Sequence, residues 1–399
     1  MILLLVFSLA LLAAVLVSEL ASRSVLSTSV LFLVAGFLAG PGVLGVIDIG
    51  AGDPGAQTIA ELALFSVLFT DGMRIGLGEL RQAWRLPGRA LLLGMPLTFV
   101  GTTLLARVLI GLPWIESALL GAVLTPTDPV FAAAVVGRED VPRRLRRLLN
   151  VESGLNDGLA LPVVVFLIAY GGGAGGQEMG GLLGEVALGV AVGVTIPWAA
   201  LRLERLAVFA SARNYEPLLA GSIALLLYSV TALTHANPFL AAFVGGVTVA
   251  SVGEKARADF RPVGEVAAEL LKLAALLVFG ALLSPRFFAE ARGVEWVFAF
   301  LALFLVRPVS VAVALVGSEL ARMERLAAAW FGPKGFASVV YALLILRAGT
   351  PHAAEIYHVS AMVIAASIVA HSSTDVVIAR RFRKAEAAEV GPQGARSTP

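Results

Sequence analysis

Long apolar stretches recur from one end of this chain to the other, and they constrain its fold more than any other feature. The hydrocarbon core of a bilayer is about 30 Å thick, and roughly 20 apolar residues in a helix cross it. Division at charged clusters and at glycine- and proline-rich segments leaves about thirteen such spans. Because 58% of the 399 residues are hydrophobic and only 15% are charged, polar side chains are too few to cover a water-soluble globule. The sequence therefore predicts an all-α polytopic membrane protein.

The predicted spans are 2–17, 24–40, 57–73, 89–110, 114–136, 149–170, 181–201, 215–233, 237–252, 265–283, 294–316, 327–346 and 356–379. Residues 1–384 are predicted to form one membrane domain. Residues 385–399 are rich in alanine, glutamate, glycine and proline, and they are predicted to be a short disordered cytoplasmic tail.

The positive charges predict an orientation. Lysine and arginine concentrate in the connections after odd-numbered spans, most densely at 138–147, whereas Asp48 and Asp53 lie in a connection after an even-numbered span. Cytoplasmic connections carry the excess of lysine and arginine. We therefore expect the N-terminus outside and the C-terminus inside, in a bacterial inner membrane whose anionic lipids contact the arginines. The positive charge of the chain thus has a membrane explanation, and no nucleic-acid partner is predicted.

Two of the predicted spans are interrupted. The fifth contains Thr-Pro-Thr-Asp-Pro at 125–129, and the twelfth contains Gly-Pro-Lys-Gly at 332–335. Proline removes a backbone donor and clashes with the preceding turn, so a continuous helix cannot pass. Two broken helices in corresponding positions indicate a transporter binding site. We expect Asp128 to balance the positive half-helix N-termini and Lys334 the negative C-terminal ends. The alternative for Asp128 is a cap on the following half-helix only.

The sixth span places polar side chains deep in the bilayer. Ser153 and Asp157 are four residues apart and share a helical face, as do Glu152 and Asn156. At about 1.5 Å per residue, Asp157 lies near the bilayer centre. Ionisable residues at that depth are candidates for a functional site. Oxygen atoms on one face suit a hard cation such as Na⁺, and a buried carboxylate also suits a proton, so one group serves either ion.

Four further charged residues lie within predicted spans. Arg307 needs a buried anionic partner, for which Glu152 is the candidate, as a structural ion pair rather than a transport site. Asp71, near the inner end of the third span, is either an ion ligand or a group facing cytoplasmic water. Lys272 is expected to extend to the inner interface. No histidine has metal-ligand spacing, cysteine is absent, and no cofactor is predicted.

Glu-Ser-Gly-Leu-Asn-Asp-Gly at 152–158, preceded by the proline-rich segment at 125–129, resembles the NhaP/NHE branch of the monovalent cation:proton antiporters. The resemblance covers nearly the whole membrane domain. It implies thirteen helices in a homodimer, a dimerisation domain, and a six-helix core of inverted repeats. It also implies broken, crossing fifth and twelfth helices and elevator-like alternating access.

The resemblance implies a role for each matching residue. Asp157 would bind the cation and the proton, Ser153 would be a side-chain ligand, and Thr127 would supply a backbone carbonyl. Asp128 would act through water or on the helix dipoles. Asn156 stands where an electrogenic branch has aspartate, which implies electroneutral exchange. Lys334 departs from the arginine of many relatives, and Asp71 is shorter than the glutamate that some of them use.

The predicted function is exchange of Na⁺ or Li⁺ for H⁺. K⁺/H⁺ exchange on the same fold is the nearest alternative. A cation channel is a second, but it requires a continuous pore and a repeated filter segment that the sequence lacks. An enzyme is disfavoured because neither a Gly-x-Ser-x-Gly nor a His-Glu-x-x-His motif occurs.

Overall fold

A computed structural model describes residues 1–17, 28–74, 85–128, 141–171 and 176–390, apart from 207, 210, 211, 213 and 214. Its first helices are α1 (Ile2–Leu16), α2 (Thr28–Ala39), α3 (Pro54–Arg74), α4 (Arg85–Ile110), α5 (Trp114–Val123) and α6 (Arg143–Gly171). The next are α7 (Gly176–Glu204), α8 (Glu216–Thr234), α9 (Pro238–Val252), α10 (Glu254–Leu282) and α11 (Gly293–Ala314). The last are α12a (Arg322–Trp330), α12b (Phe336–Ala348) and α13 (Ala353–Val390). Within the described ranges there is no β-strand.

The helices have the length and surface of a membrane protein. Among the described residues, 6 helices are long and apolar enough to cross a bilayer, namely α4, α6, α8, α11, α13 and the Leu183–Glu204 part of α7. Helices α1, α2, α5, α9 and α12b are shorter but apolar. Large apolar side chains such as Leu225 and Leu233 are exposed, as expected for a surface in contact with lipid. The predicted all-α polytopic fold is confirmed.

The C-terminal helix is longer than predicted. Helix α13 continues to Val390, so the prediction of a disordered tail is wrong for residues 385–390. The segment Lys384–Glu389 consists of lysine, alanine and glutamate, which are strong helix formers, and it extends the preceding helix without a break. Residues 129–140 and 391–399 lie outside the described residues, whereas Arg143, Arg144, Arg146 and Arg147 of the predicted arginine-rich connection lie in the first turns of α6.

Helices α2, α3, α7, α8, α9 and α10 form one group held by very close backbone contacts. A Cβ atom at Gly36 of α2 would lie 2.0 Å from the Leu277 carbonyl oxygen of α10. One at Gly246 of α9 would lie 2.1 Å from the Phe69 carbonyl oxygen of α3. Close approach through small residues is the usual way in which helices associate in a bilayer, where the hydrophobic effect does not drive them together.

Helices α4, α5, α6, α11, α12a, α12b and α13 form the second group. Helix α4 packs along both α5 and α11, and α12b packs on α13. The second group meets the first where α6 and α12b lie against α3, α9 and α10. The polar residues singled out in the sequence collect at and beside this boundary.

Candidate ion-binding site

The two interrupted helices meet at their breaks. Helix α5 ends at Val123 and α12a ends at Trp330, in each case shortly before the proline that the sequence predicts to break it. The Asp128 backbone N–H donates to the Pro333 carbonyl at 2.9 Å. A Cβ atom at position 335 would lie 2.0 Å from the Asp128 Cβ, so only glycine fits at this contact. Pro129 and the rest of the fifth span lie outside the described residues.

Each break carries a charge suited to the facing helix end. The Lys334 ammonium donates to the Thr125 carbonyl at 3.4 Å, just beyond the C-terminus of α5. The Phe336 backbone N–H, at the N-terminus of α12b, donates to Asp128 Oδ2 at 3.5 Å. Helix C-termini carry partial negative charge and N-termini partial positive charge. These contacts have the signs that the sequence predicts for Lys334 and Asp128.

A buried polar cluster joins the middle of α6 to the fifth-span break. The Asn156 amide donates to Thr127 Oγ1 at 2.7 Å, and Thr127 Oγ1 lies 3.3 Å from Ser153 Oγ. Among the described residues, neither Asn156 Oδ1 nor Asp157 Oδ1 has a hydrogen-bond partner, although both atoms are buried. Buried oxygens are normally paired, and unpaired ones require an explanation such as an unseen ion or water. The cluster therefore has oxygen ligands to offer a cation or a proton.

A cavity of about 70 Å³ brings three carboxylates together between the two helix groups. Asp71 of α3, Asp128 of the fifth-span break and Asp157 of α6 all line it. Ser153, Thr127 and Asn156 belong to the adjacent buried cluster rather than to the cavity lining. A water molecule occupies roughly 30 Å³ in the liquid, so the cavity has room for a cation with part of its hydration shell.

The mouth of the cavity is charged and exposed. Arg74, Glu265 and Glu269 line it, and each of these side chains is more than a third exposed. Arg74 contacts Asp71 at 2.9 Å and Glu265 at 3.6 Å, which links α3 to α10. Asp71 itself is only 8% exposed. Its carboxylate thus contacts Arg74 at the charged mouth and shares the cavity with Asp157.

The predicted contact between Glu152 and Arg307 is present. Arg307 Nη2 lies 2.7 Å from Glu152 Oε1, and both side chains are buried. The same guanidinium nitrogen lies 3.5 Å from the Phe331 carbonyl at the break between α12a and α12b. A buried ion pair needs good geometry and further hydrogen bonds to offset desolvation. The pair connects α6, α11 and the twelfth-span break.

Three further residues contact backbone groups of the site region. The Tyr341 hydroxyl of α12b donates to the Asp157 carbonyl at 2.7 Å. Ser367 Oγ accepts from the Lys334 backbone N–H at 2.8 Å, and the His371 ring lies 3.1 Å from the Trp330 carbonyl. All three satisfy backbone groups, two of them at the twelfth-span break. Their sequence neighbourhoods are ordinary apolar helix, and no local pattern identifies them.

Lys272 is more enclosed than an interfacial lysine. Its side chain is 7% exposed, and it lines the cavity with Asp71 and Asp157. Its ammonium lies 2.5 Å from Glu269 Oε2, and Glu269 is 43% exposed at the mouth. Helices α3 and α12b pack against α10, which accounts for the burial of the stem. The expected extension to the inner interface stays a prediction.

Known proteins share this organisation. The family model described as "Sodium/hydrogen exchanger, transmembrane" matches residues 7–380. A K(+)/H(+) antiporter NhaP from Alkalimonas amylolytica is 26% identical over 90% of this chain, which spans 63% of that relative's length. Na(+)/H(+) antiporter 2 from Zygosaccharomyces rouxii is 49% identical, but over only 73 residues, 17% of this chain and 9% of that protein.

The fold is also that of a solved antiporter structure. The sodium proton antiporter MjNhaP1 from Methanocaldococcus jannaschii superposes with a TM-score of 0.76 at 20% identity. The superposition covers 96% of this chain and all of that one. At this identity the likeness concerns the fold, whereas the family match rests on the sequence over nearly the whole chain. The chain belongs to the transmembrane sodium/hydrogen exchanger family.

Proposed function

We propose that this protein is a secondary antiporter that exchanges a monovalent cation for H⁺, with Asp157 as the group that binds either ion. The observation that carries the proposal is the buried Asp157 carboxylate, which lines a cavity between two helix groups and has one oxygen without a partner among the described residues. The Asp157 carboxylate can therefore bind an ion from the cavity together with nearby oxygen ligands. A carboxylate held in an ion pair could not do so.

Competition at one carboxylate explains exchange. An empty, ionised carboxylate resists transfer across a hydrophobic barrier, because desolvation of an unpaired charge is very unfavourable. A carboxylate neutralised by a proton or a bound cation resists transfer far less. In the elevator-like mechanism, the second helix group moves against the first with Asp157 occupied. After one ion has been carried across and released, Asp157 must bind the other ion before it can cross back.

The proposed cation ligands come from both sides of the fifth-span break. Asp157 and Ser153 contribute side-chain oxygens, and Thr127 contributes its backbone carbonyl. Asp128 and Asp71 act through water. Asn156 orients Thr127 through its 2.7 Å hydrogen bond. Because Asn156 is neutral, Asp157 alone changes its proton occupancy in this pair of residues, which favours electroneutral exchange.

We propose Na⁺ or Li⁺ as the preferred cation, on the resemblance and on the oxygen-rich ligand set. K⁺ is the second candidate, and the names of the NhaP relatives favour it. We further propose a homodimer in a bacterial inner membrane, with the charged mouth at Arg74 and Glu269 facing the cytoplasm. The excess of arginine in the connections after odd-numbered spans supports this orientation.

The purified protein in liposomes with an internal pH dye tests the proposal. An outward proton gradient is imposed, and Na⁺, Li⁺ and K⁺ are added in turn. Saturable proton efflux with Na⁺ and Li⁺ but not K⁺ is the expected result. A K⁺ response of equal size would show that K⁺ is also transported, and the proposed mechanism would stay the same. Absence of proton movement with every cation, from folded protein, would reject antiport.

A further inference from the structure

A buried ammonium shares the cavity with the proposed ion-binding carboxylate. Lys272 lies on α10, in the helix group opposite to Asp157, and both side chains line the same cavity. From α3, Asp71 and Arg74 face this space, and Asp128 faces it from the fifth-span break. From α10 itself come Glu265 and Glu269. A fixed positive charge in a site for cations opposes binding, so its presence there requires an account.

Glu269 holds the ammonium at the mouth. The Lys272–Glu269 contact of 2.5 Å spans one helical turn, from a buried residue to a carboxylate that is 43% exposed. A lysine stem is long and flexible, and the direction of its head is set by its partner. Without Glu269, the aspartates available to Lys272 in the cavity are Asp71, Asp128 and Asp157, whereas the remaining glutamate of the lining, Glu265, contacts Arg74 and Arg261.

We propose that Lys272 is a tethered counter-cation that sets the affinity of the cavity for its transported cation, and that Glu269 keeps it away from Asp157. This inference rests on the proposed function. Two unit charges in a partly hydrated cavity interact strongly enough to change binding several-fold. Lys272 thus weakens cation binding to a level from which release is fast.

Substitution of the lysine gives the first test. Lys272→Met keeps the length of the stem and removes the charge. We expect the KM for Na⁺, measured at high pH where protons do not compete, to fall roughly three- to tenfold. Lys272→Arg, which retains the charge, should keep the KM near that of wild type.

Substitution of the tether gives the second test and predicts the opposite sign. Glu269→Gln should raise the KM, because the released ammonium competes for the carboxylates. Loss of a negative charge at the mouth would also raise the KM, so the effect is measured again in the Lys272→Met background. If Glu269 acts through Lys272, most of the increase disappears there. Glu265→Gln is the matched control, since Glu265 contacts Arg74 and Arg261 instead, and its effect should be equal in both backgrounds.

Cation affinity is also measured as the Na⁺ concentration that half-saturates thermal stabilisation, which requires no transport. An unchanged KM and an unchanged Na⁺ affinity in a folded Lys272→Met protein would overturn the inference. An equal effect of Glu269→Gln in both backgrounds would overturn the tether. If the buried Lys272→Met variant fails to fold, Glu269→Gln is compared with Glu265→Gln, which removes an equal charge from the same mouth. A larger increase in KM for Glu269→Gln is then expected, and equal increases would overturn the tether. Absence of exchange in the wild-type protein would instead reject the proposed function. Thermal stabilisation by Na⁺ would still show whether Lys272 affects cation binding.

Discussion

The hydroxyl of Tyr341 donates a 2.7 Å hydrogen bond to the backbone carbonyl of Asp157, and this contact ties helix α12b to α6 at the proposed ion-binding residue. Both residues are buried. The carboxylate of Asp157 remains available to an ion because the bond engages only its backbone. Tyr341 is thus a positioning residue for Asp157 and does not compete with the cation.

Tyr341→Phe tests this role. Loss of a buried hydrogen bond is expected to lower the free energy of unfolding by about 1 kcal/mol. The KM for the cation should rise because Asp157 is held less firmly. Tyr357→Phe is the matched control, since the buried Tyr357 hydroxyl has no hydrogen-bond partner among the described residues. Equal effects of the two substitutions on the KM would contradict the role of Tyr341 in positioning Asp157.

The twelfth-span break should depend on Ser367. Its hydroxyl accepts from the Lys334 backbone N–H at 2.8 Å, and Ser367→Ala leaves that buried donor unpaired. The expected loss of stability is about 1–3 kcal/mol. Ser360 lies on the same helix, is equally buried, and its hydroxyl has no partner in the described part of the chain. Ser367→Ala should therefore unfold at a lower temperature than Ser360→Ala. Coincident melting curves would contradict the role of Ser367 at the break.

The ion pair of Glu152 with Arg307 is expected to be strongly coupled. Glu152→Gln leaves the guanidinium buried without its counter-charge, and removal of one member of such a pair typically costs about 3–5 kcal/mol. The double change Glu152→Met with Arg307→Met should recover most of this loss, because no charge is left unpaired. As a control, Arg286→Gln breaks an exposed pair with Glu290 and should cost below about 1 kcal/mol. Unchanged stability in Glu152→Gln would argue against the pairing.

Exchange should carry no net charge across the membrane. With Asn156 neutral beside Asp157, one cation replaces one proton. Capacitive current recordings on adsorbed proteoliposomes should therefore show no sustained transport current on a Na⁺ step, while the pH dye reports proton movement in the same preparation. A current that scales with the measured proton flux would indicate unequal stoichiometry.

Several features of the site could be predicted because they depend on local chemistry. Pro126 and Pro333 mark the breaks, since a helix cannot continue through them. A buried Arg307 demands an anion, and Glu152 is the candidate that the sequence offers. The signs of the charges at Lys334 and Asp128 follow from the helix ends beside which they lie.

Other features could not be predicted because they depend on which helix faces are covered. Lys272 lies one helical turn beyond Glu269 in a segment that has the pattern of a membrane interface, and only the packing of α10 against α3 and α12b buries it. Tyr341 and Ser367 look like ordinary residues of apolar helices. Their partners, the Asp157 carbonyl and the Lys334 N–H, are 184 and 33 residues away in the sequence.

The most direct test of Asp157 as the group that binds either ion is cation-driven proton efflux by Asp157→Asn, measured in proteoliposomes prepared as for wild type. Asparagine keeps the shape of the side chain but cannot take up or release the proton, so the fold should persist, with thermal stability checked in parallel. Exchange is expected to be lost with Na⁺, Li⁺ and K⁺ alike. Efflux at the wild-type rate from the folded variant would contradict the role of Asp157.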